Sequence, residues 1–157
     1  MKVLMVCLGN ICRSPLAQGI LLDKLNKRGI YGIEVDSCGT SGYHYDDPPD
    51  PRSIEKAAEY DIDITMFRGR KFEIKDFMKF DRILVMDGQN YEDVLSLTES
   101  EEDKAKVRMI MDYLYPGEDM DVPDPYYGKE DGFEKVYQML DQAIERFIKA
   151  EILPKWK

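Results

Sequence analysis

The chain has 157 residues, of which 43% are hydrophobic and 34% are charged, as is usual for a soluble globular protein. We therefore expect a single domain over residues 1–157. The net charge of -9 argues against a nucleic-acid-binding protein, because phosphate backbones attract clustered lysine and arginine. An acidic chain can still bind a phosphate ester, but only at one concentrated site where backbone dipoles and a placed arginine act together.

The amino-terminal run from Val3 to Leu8 is apolar but too short to span a bilayer. It leads into Asn10 and Arg13 rather than into a small-residue cleavage site, so we expect neither a membrane partner nor a signal peptide. The three cysteines do not suggest a secreted disulfide framework, and reduced thiols favour a cytoplasmic location. The sequence contains no Cys/His cluster typical of a metal site, and we expect no cofactor.

Short apolar runs alternate with segments of helical periodicity along the chain. The predicted strands are residues 2–6, 33–37, 82–86 and 107–111. The first predicted helix starts at Ser14-Pro15 and ends near Gly29. Three further helices are predicted over residues 53–60, over residues 76–80 and around residues 91–95, and a long final helix runs through residues 133–148. Residues 39–51 and 112–129 are predicted loops. This alternation predicts an α/β fold with a doubly wound four-stranded parallel sheet and helices on both faces.

Residues 7–15, Cys-Leu-Gly-Asn-Ile-Cys-Arg-Ser-Pro, connect the first strand to the first helix. A loop that closes onto a helix N-terminus directs several backbone N–H groups to one point, which suits a phosphate dianion. Gly9 permits a positive φ, and Asn10 tolerates left-handed geometry. We expect this loop to bind the phosphate of a substrate through Leu8, Gly9, Asn10, Ile11, Cys12 and Ser14.

Cys7 lies at the end of the strand, where the N–H groups and Arg13 favour its thiolate form and make it a candidate nucleophile. The guanidinium of Arg13 can bind two phosphoryl oxygens at once, so no metal ion is needed. The Ser14 hydroxyl can donate to the Cys7 sulfur. Cys7 could instead be an inert buried cysteine and Arg13 a surface residue, but the preceding strand and the following Ser-Pro favour the phosphate loop. Cys12 is either a small loop residue or a thiol that traps oxidised Cys7 as a disulfide.

An acid is needed to protonate the leaving oxygen of a phosphate ester. The candidate is Asp124, which lies between two prolines and is followed by Tyr126 and Tyr127. A plain Asp-Pro turn with solvent-facing tyrosines explains this segment equally well on its own.

Residues 7–15 together with Asp-Pro-Tyr-Tyr-Gly at 124–128 strongly resemble the low-molecular-weight protein-tyrosine phosphatases. The resemblance covers essentially the whole chain and includes Pro-Asp-Pro-Arg at 49–52 and the segment 80–87. It implies a flavodoxin-like fold, called phosphotyrosine phosphatase I-like, and hydrolysis of phosphotyrosine and small aryl phosphates. Phosphotyrosine-containing proteins are the implied partners, and inorganic phosphate is the implied product.

The resemblance also implies a role for each matching residue. Cys7 is the nucleophile and Arg13 the phosphate clamp, with Asp124 as the general acid. Asp87 supports the loop, and Tyr43 and Tyr127 form the pocket walls. The sequence departs from the family in having Tyr43 where tryptophan is common, and in the acidic pair at 46–47 near the mouth.

Two other functions remain open. A thiol-dependent arsenate reductase shares this loop and fold, but such enzymes relay a disulfide through later cysteines, and no cysteine follows Cys38. A non-catalytic phosphotyrosine-binding or flavodoxin-like module would not need Cys7, Arg13 and Asp124 together.

Overall fold

The computed structural model describes residues 1–128 and 131–156. Lys129, the last residue of the predicted loop 112–129, lies outside the described residues. No helix in the described part of the chain combines the length and the apolar character needed to cross a membrane.

Within the described residues, four parallel strands form one sheet in the order β2-β1-β3-β4. The strands are β1 (Lys2–Cys7), β2 (Glu34–Gly39), β3 (Arg82–Val85) and β4 (Val107–Met109). The chain turns to one side of β1 to form β2 and to the other side to form β3. The carboxyl end of β1 is therefore the switch point where ligands of doubly wound folds bind. The predicted α/β fold class is confirmed.

Helices cover both faces of the sheet, which explains why β1 is apolar at consecutive positions. Val3 and Met5 belong to the core on one face, and Leu4 and Val6 to the core on the other; all four are fully buried. The helices are α1 (Arg13–Lys27), α2 (Pro51–Glu59), α3 (Asp76–Lys79), α4 (Gly88–Leu95), α5 (Glu101–Ala105) and α6 (Asp131–Phe147). Core residues of α1, α2 and α6 pack with Val3 and Met5, whereas those of α3 and α4 pack with Leu4 and Val6.

Several predicted boundaries were wrong. The prediction of a strand over 107–111 was too long, because β4 ends at Met109 and the chain enters a 3₁₀ turn over Ile110–Tyr113. The predicted helix start at Ser14-Pro15 was one residue late, because α1 begins at Arg13 and Cys12 occupies the N-cap. The Ser14 hydroxyl contacts the Cys7 sulfur.

The start of α2 and the existence of α5 were not predicted. α2 begins at Pro51, where the Asp50 side chain caps it by accepting from the Arg52 N–H. α5 carries no buried residue, so it has no apolar stripe that a sequence pattern could reveal. The final helix continues past α6 as a π-helical turn over Ile148–Ile152.

Candidate active site

The phosphate loop begins at Cys7, the last residue of β1. The pairing of β1 with β2 continues beyond the strand, because the N–H groups of Thr40 and Ser41 donate to the carbonyl oxygens of Cys7 and Leu8, each at 2.9 Å. The left-handed residue of the loop is Asn10, with φ of 58°. The expectation of a positive φ at Gly9 was wrong. The space at Gly9 is tight, since a Cβ there would lie 3.2 Å from Cδ2 of His44 and the histidine ring would have to shift to accommodate it.

Two polar groups lie within hydrogen-bonding distance of the sulfur of Cys7, a residue with 2% exposure. The backbone N–H of Asn10 donates to Sγ at 3.3 Å, and Oγ of Ser14 lies 3.0 Å from it. The Asn10 amide donates to the same Oγ at 2.8 Å, which leaves the hydroxyl proton to point at Sγ or at the Cys38 carbonyl, 3.3 Å away. A thiolate only accepts hydrogen bonds, so the Asn10 N–H and the Ser14 hydroxyl are both placed to donate to a Cys7 sulfur that acts as nucleophile.

Asn10 holds the loop from behind. Its amide also donates to Oγ of Ser37 at 3.0 Å, and its Oδ1 accepts from the backbone N–H of Arg70 at 3.0 Å. Ser37 in turn donates to Oε1 of Gln18 at 2.7 Å. Asn10 and Ser14 were predicted to bind the phosphate, but both are buried and neither lines the cleft, whereas the other residues of the loop from Cys7 to Arg13 do. Arg70 was not predicted as a supporting residue.

The Arg13 guanidinium is buried at the floor of the site, with 2% exposure. Its Nη1 donates to Oδ2 of Asp87 at 2.7 Å and to the Val122 carbonyl at 2.9 Å, while Nη2 lies 3.6 Å from Oδ2 of Asp124. Burial opposes the charge, but Cys7 and the two carboxylates outweigh it and raise the pKa of Arg13 above its ordinary value. Arg13 is therefore a fixed positive charge in the same cleft as the candidate nucleophile and the candidate acid.

The segment that bears Asp124 is anchored on both sides of the carboxylate. The Val122 N–H donates to the Met86 carbonyl at 2.8 Å, beyond the end of β3. Oδ1 of Asp124 accepts from the Tyr126 N–H at 3.0 Å, which begins a 3₁₀ turn over Pro125–Tyr127. Oδ1 is thus occupied, and Oδ2 is the oxygen turned toward Arg13.

Cys7, Arg13 and Asp124 line one cleft with a volume of about 450 Å³. Tyr43 and Tyr127 stand at its mouth with 92% and 84% of their surface exposed, so both rings are available to a ligand. Sequence reasoning did not identify Ser41, His44 and Tyr126 as lining residues. His44 is the only histidine of the chain and lies in a loop rich in Gly, Pro and Asp. These two features of the sequence could have indicated that His44 lines the cleft. The full lining is Cys7, Leu8, Gly9, Ile11, Cys12, Arg13, Ser41, Tyr43, His44, Asp124, Tyr126 and Tyr127.

Cys12 also lines the cleft but has a different environment from Cys7. Burial, with further contributions from the charges of Asp50, Cys7 and Asp124, raises the pKa of Cys12 to about 12. Cys12 is therefore a neutral thiol at physiological pH and a poor nucleophile.

Known proteins resemble this chain over nearly its whole length. The family model described as "Low molecular weight phosphotyrosine protein phosphatase" matches residues 2–155. The low molecular weight phosphotyrosine protein phosphatase of Schizosaccharomyces pombe is 38% identical over 151 residues, covering 95% of this chain and 96% of the relative.

Two solved structures are similar over nearly the whole chain. A protein tyrosine phosphatase from Entamoeba histolytica superposes with a TM-score of 0.88 at 35% identity, covering 95% of each chain. A Drosophila arginine phosphatase superposes with a TM-score of 0.88 at 30% identity, covering 95% of this chain and 96% of that one. By sequence and by structure, the chain belongs to the low molecular weight phosphotyrosine protein phosphatase family.

Proposed function

We propose that the chain hydrolyses phosphotyrosine in proteins through a phosphocysteine formed on Cys7. The observation that carries the proposal is the position of Arg13. Its buried guanidinium lines the same cleft as Cys7 and Asp124, with Nη2 3.6 Å from the Asp124 carboxylate. A phosphoryl group held by Arg13 therefore has a nucleophile and an acid within the same cleft.

In the first step, the Cys7 thiolate attacks phosphorus and the bond from phosphorus to the tyrosine oxygen breaks. The electron pair of that bond stays on the oxygen, which takes the proton of Asp124 and leaves as tyrosine. The equatorial oxygens are held by Arg13 and by the backbone N–H groups of the loop. Oδ2 of Asp124 is the oxygen suited to carry the proton, because Oδ1 already accepts from Tyr126.

In the second step, a water molecule attacks the phosphocysteine and Asp124 takes a proton from it. The bond from phosphorus to sulfur breaks, and the electron pair returns to Cys7 as a thiolate. The Asn10 N–H at 3.3 Å and the Ser14 hydroxyl at 3.0 Å stabilise that thiolate as a leaving group. Inorganic phosphate is the product.

The walls of the cleft favour an aryl phosphate. Tyr43 and Tyr127 both line the cleft and have exposed rings, and we propose that they pack against the phenyl ring of the substrate. We propose phosphotyrosine-containing proteins of the cytoplasm as substrates, since the three cysteines are free thiols that a reducing compartment preserves. Leu8 and Ile11 add apolar surface beside the loop.

The test compares several substrates on the wild-type protein. We expect turnover of phosphotyrosine peptides and of p-nitrophenyl phosphate that is unchanged by EDTA, and much less turnover of phosphoarginine peptides. Preference for phosphoarginine would assign the chain the activity of its Drosophila relative and contradict the proposal. Arsenate-dependent oxidation of thiols, without phosphatase turnover, would favour an arsenate reductase. Binding of phosphotyrosine without turnover would favour a non-catalytic module.

A further inference from the structure

We propose that Arg52 is a positioning residue that holds the Asp124 segment against the phosphate loop. The inference rests on the proposed role of Asp124 as general acid. Arg52 lies at the start of α2, outside the residues that line the active-site cleft. It acts through contacts with two other parts of the chain.

The guanidinium of Arg52 is fixed in one orientation by a bidentate ion pair. Its Nε donates to Oδ1 of Asp50 and its Nη2 donates to Oδ2, both at 3.0 Å. Its plane also lies near two rings, with Cζ 4.8 Å from the centroid of Phe133 and 5.4 Å from that of Tyr126. Phe133 is buried, so it gives the guanidinium a rigid surface.

One end of this assembly is attached to the phosphate loop. The Asp50 N–H donates to the Ile11 carbonyl at 2.8 Å, and the Ser53 hydroxyl donates to the Cys12 carbonyl at 3.2 Å. Both acceptors belong to the loop between Cys7 and Arg13. The start of α2 is therefore hydrogen-bonded directly to that loop.

The other end is attached to the acid segment. Nη2 of Arg52 donates to the Tyr126 carbonyl at 3.2 Å. The N–H of the same tyrosine donates to Oδ1 of Asp124 at 3.0 Å. Arg52 thus connects the backbone of the phosphate loop to the residue that orients Asp124, and it does so on the carboxyl-terminal side of the acid. On the amino-terminal side, Val122 provides the corresponding anchor through the Met86 carbonyl.

If the Arg52–Asp50 ion pair only stabilised the start of α2, its loss would affect the protein differently from the loss of a contact that positions the acid. Loss of a cap lowers the melting temperature but does not change how the rate depends on the leaving group. A misplaced acid lowers the rate most for leaving groups that need a proton, and small displacements of a catalytic group are costly. The leaving-group dependence of kcat/KM therefore separates the two roles.

The experiment uses Arg52→Ala in the full chain, with Lys56→Ala as the matched control. Lys56 lies in the same helix and pairs with Glu134 of α6 at 3.2 Å, so its loss weakens the contact between the same two helices. For Arg52→Ala we expect kcat/KM on phosphotyrosine to fall on the order of tenfold and on p-nitrophenyl phosphate clearly less. Inhibition by inorganic phosphate should change little. Lys56→Ala should keep both rates.

A second arm measures Arg52→Ala in the Asp124→Asn background. If Arg52 acts through Asp124, the double variant should lose little beyond Asp124→Asn alone. Equal losses for the two substrates, no loss, or an undiminished Arg52→Ala effect without Asp124 would each overturn the proposal. If Asp124→Asn alone shows no dependence on the leaving group, the assignment of the acid fails, and the role of Arg52 fails with it.

A further variant guards against failure of Arg52→Ala to fold. Arg52→Lys keeps the positive charge but cannot hold the Asp50 carboxylate and the Tyr126 carbonyl with a planar fork. It should show the same selective loss on phosphotyrosine, with a melting temperature near that of the wild type. Wild-type rates in a folded Arg52→Lys would contradict the positioning role.

Discussion

Replacing Asp124 by asparagine removes the acid and preserves the shape of its segment. The asparagine carbonyl can still accept from the Tyr126 N–H, as Oδ1 of Asp124 does at 3.0 Å. Arg13 loses a partner at 3.6 Å but keeps Asp87 at 2.7 Å and the Val122 carbonyl at 2.9 Å. We therefore expect phosphate binding to change little and the loss to fall on departure of the leaving group.

General acid catalysis contributes about 10²–10⁴-fold, and we expect kcat/KM for phosphotyrosine to fall by a factor in that range. The loss for p-nitrophenyl phosphate should be smaller, because p-nitrophenoxide is a stable anion and leaves with little help. The assay must use kcat/KM, which reports the steps through leaving-group departure. If hydrolysis of the phosphocysteine limits kcat, both substrates would lose kcat alike, because Asp124 then acts as the base.

Asp119→Asn is a suitable control for this prediction. Asp119 is an exposed carboxylate five residues before Asp124, with φ of 50°, a geometry that asparagine also tolerates. Its replacement should leave both substrates at wild-type rates. Equal losses of kcat/KM for the two substrates in Asp124→Asn would refute the reasoning, and Asp87 would become the first candidate for the acid.

Three further predictions concern the phosphate loop. Cys7→Ser should abolish turnover and keep phosphate binding by calorimetry; loss of binding as well would mean that the substitution disrupts the loop. Mild peroxide should link Cys7 to Cys12, faster as pH rises toward the Cys12 pKa of about 12, because more thiolate forms. Peptide mapping should find that pair, and Cys12→Ser should recover poorly on adding thiol; full recovery would deny Cys12 a protective role. Asn10→Ala should be less stable to denaturant than Asn10→Gly by about 1 kcal/mol, since φ is 58°; equal stability would show that the backbone there is unstrained.

The parts of the site that sequence analysis could predict are local in the chain. Cys7 and Arg13 lie in one short loop between a strand and a helix, and the chemistry of that loop follows from their spacing. Asp124 was different, because an Asp-Pro turn is common and only the family resemblance favoured an acid. The structure brings Asp124 to the same cleft as Cys7 and Arg13.

The supporting residues could not be predicted, because their contacts join distant parts of the chain. Arg70 reaches Asn10 across 60 residues, and Arg52 reaches Tyr126 across 74. No periodicity or spacing indicates such pairs in a single sequence. The fold was predictable in outline because four apolar strands alternate with helices, whereas α5 was missed because every residue in it is polar or small and none is buried.

The central claim is that phosphate passes through the Cys7 sulfur without help from a metal ion. The most direct measurement mixes the protein with p-nitrophenyl phosphate in the presence of EDTA, stops the reaction with denaturant, and maps the phosphorylated peptide by mass spectrometry. We predict one phosphoryl group on the sulfur of Cys7 in the wild type and none in Cys7→Ser. A phosphoryl group on another residue, or steady turnover by Cys7→Ser, would contradict the account.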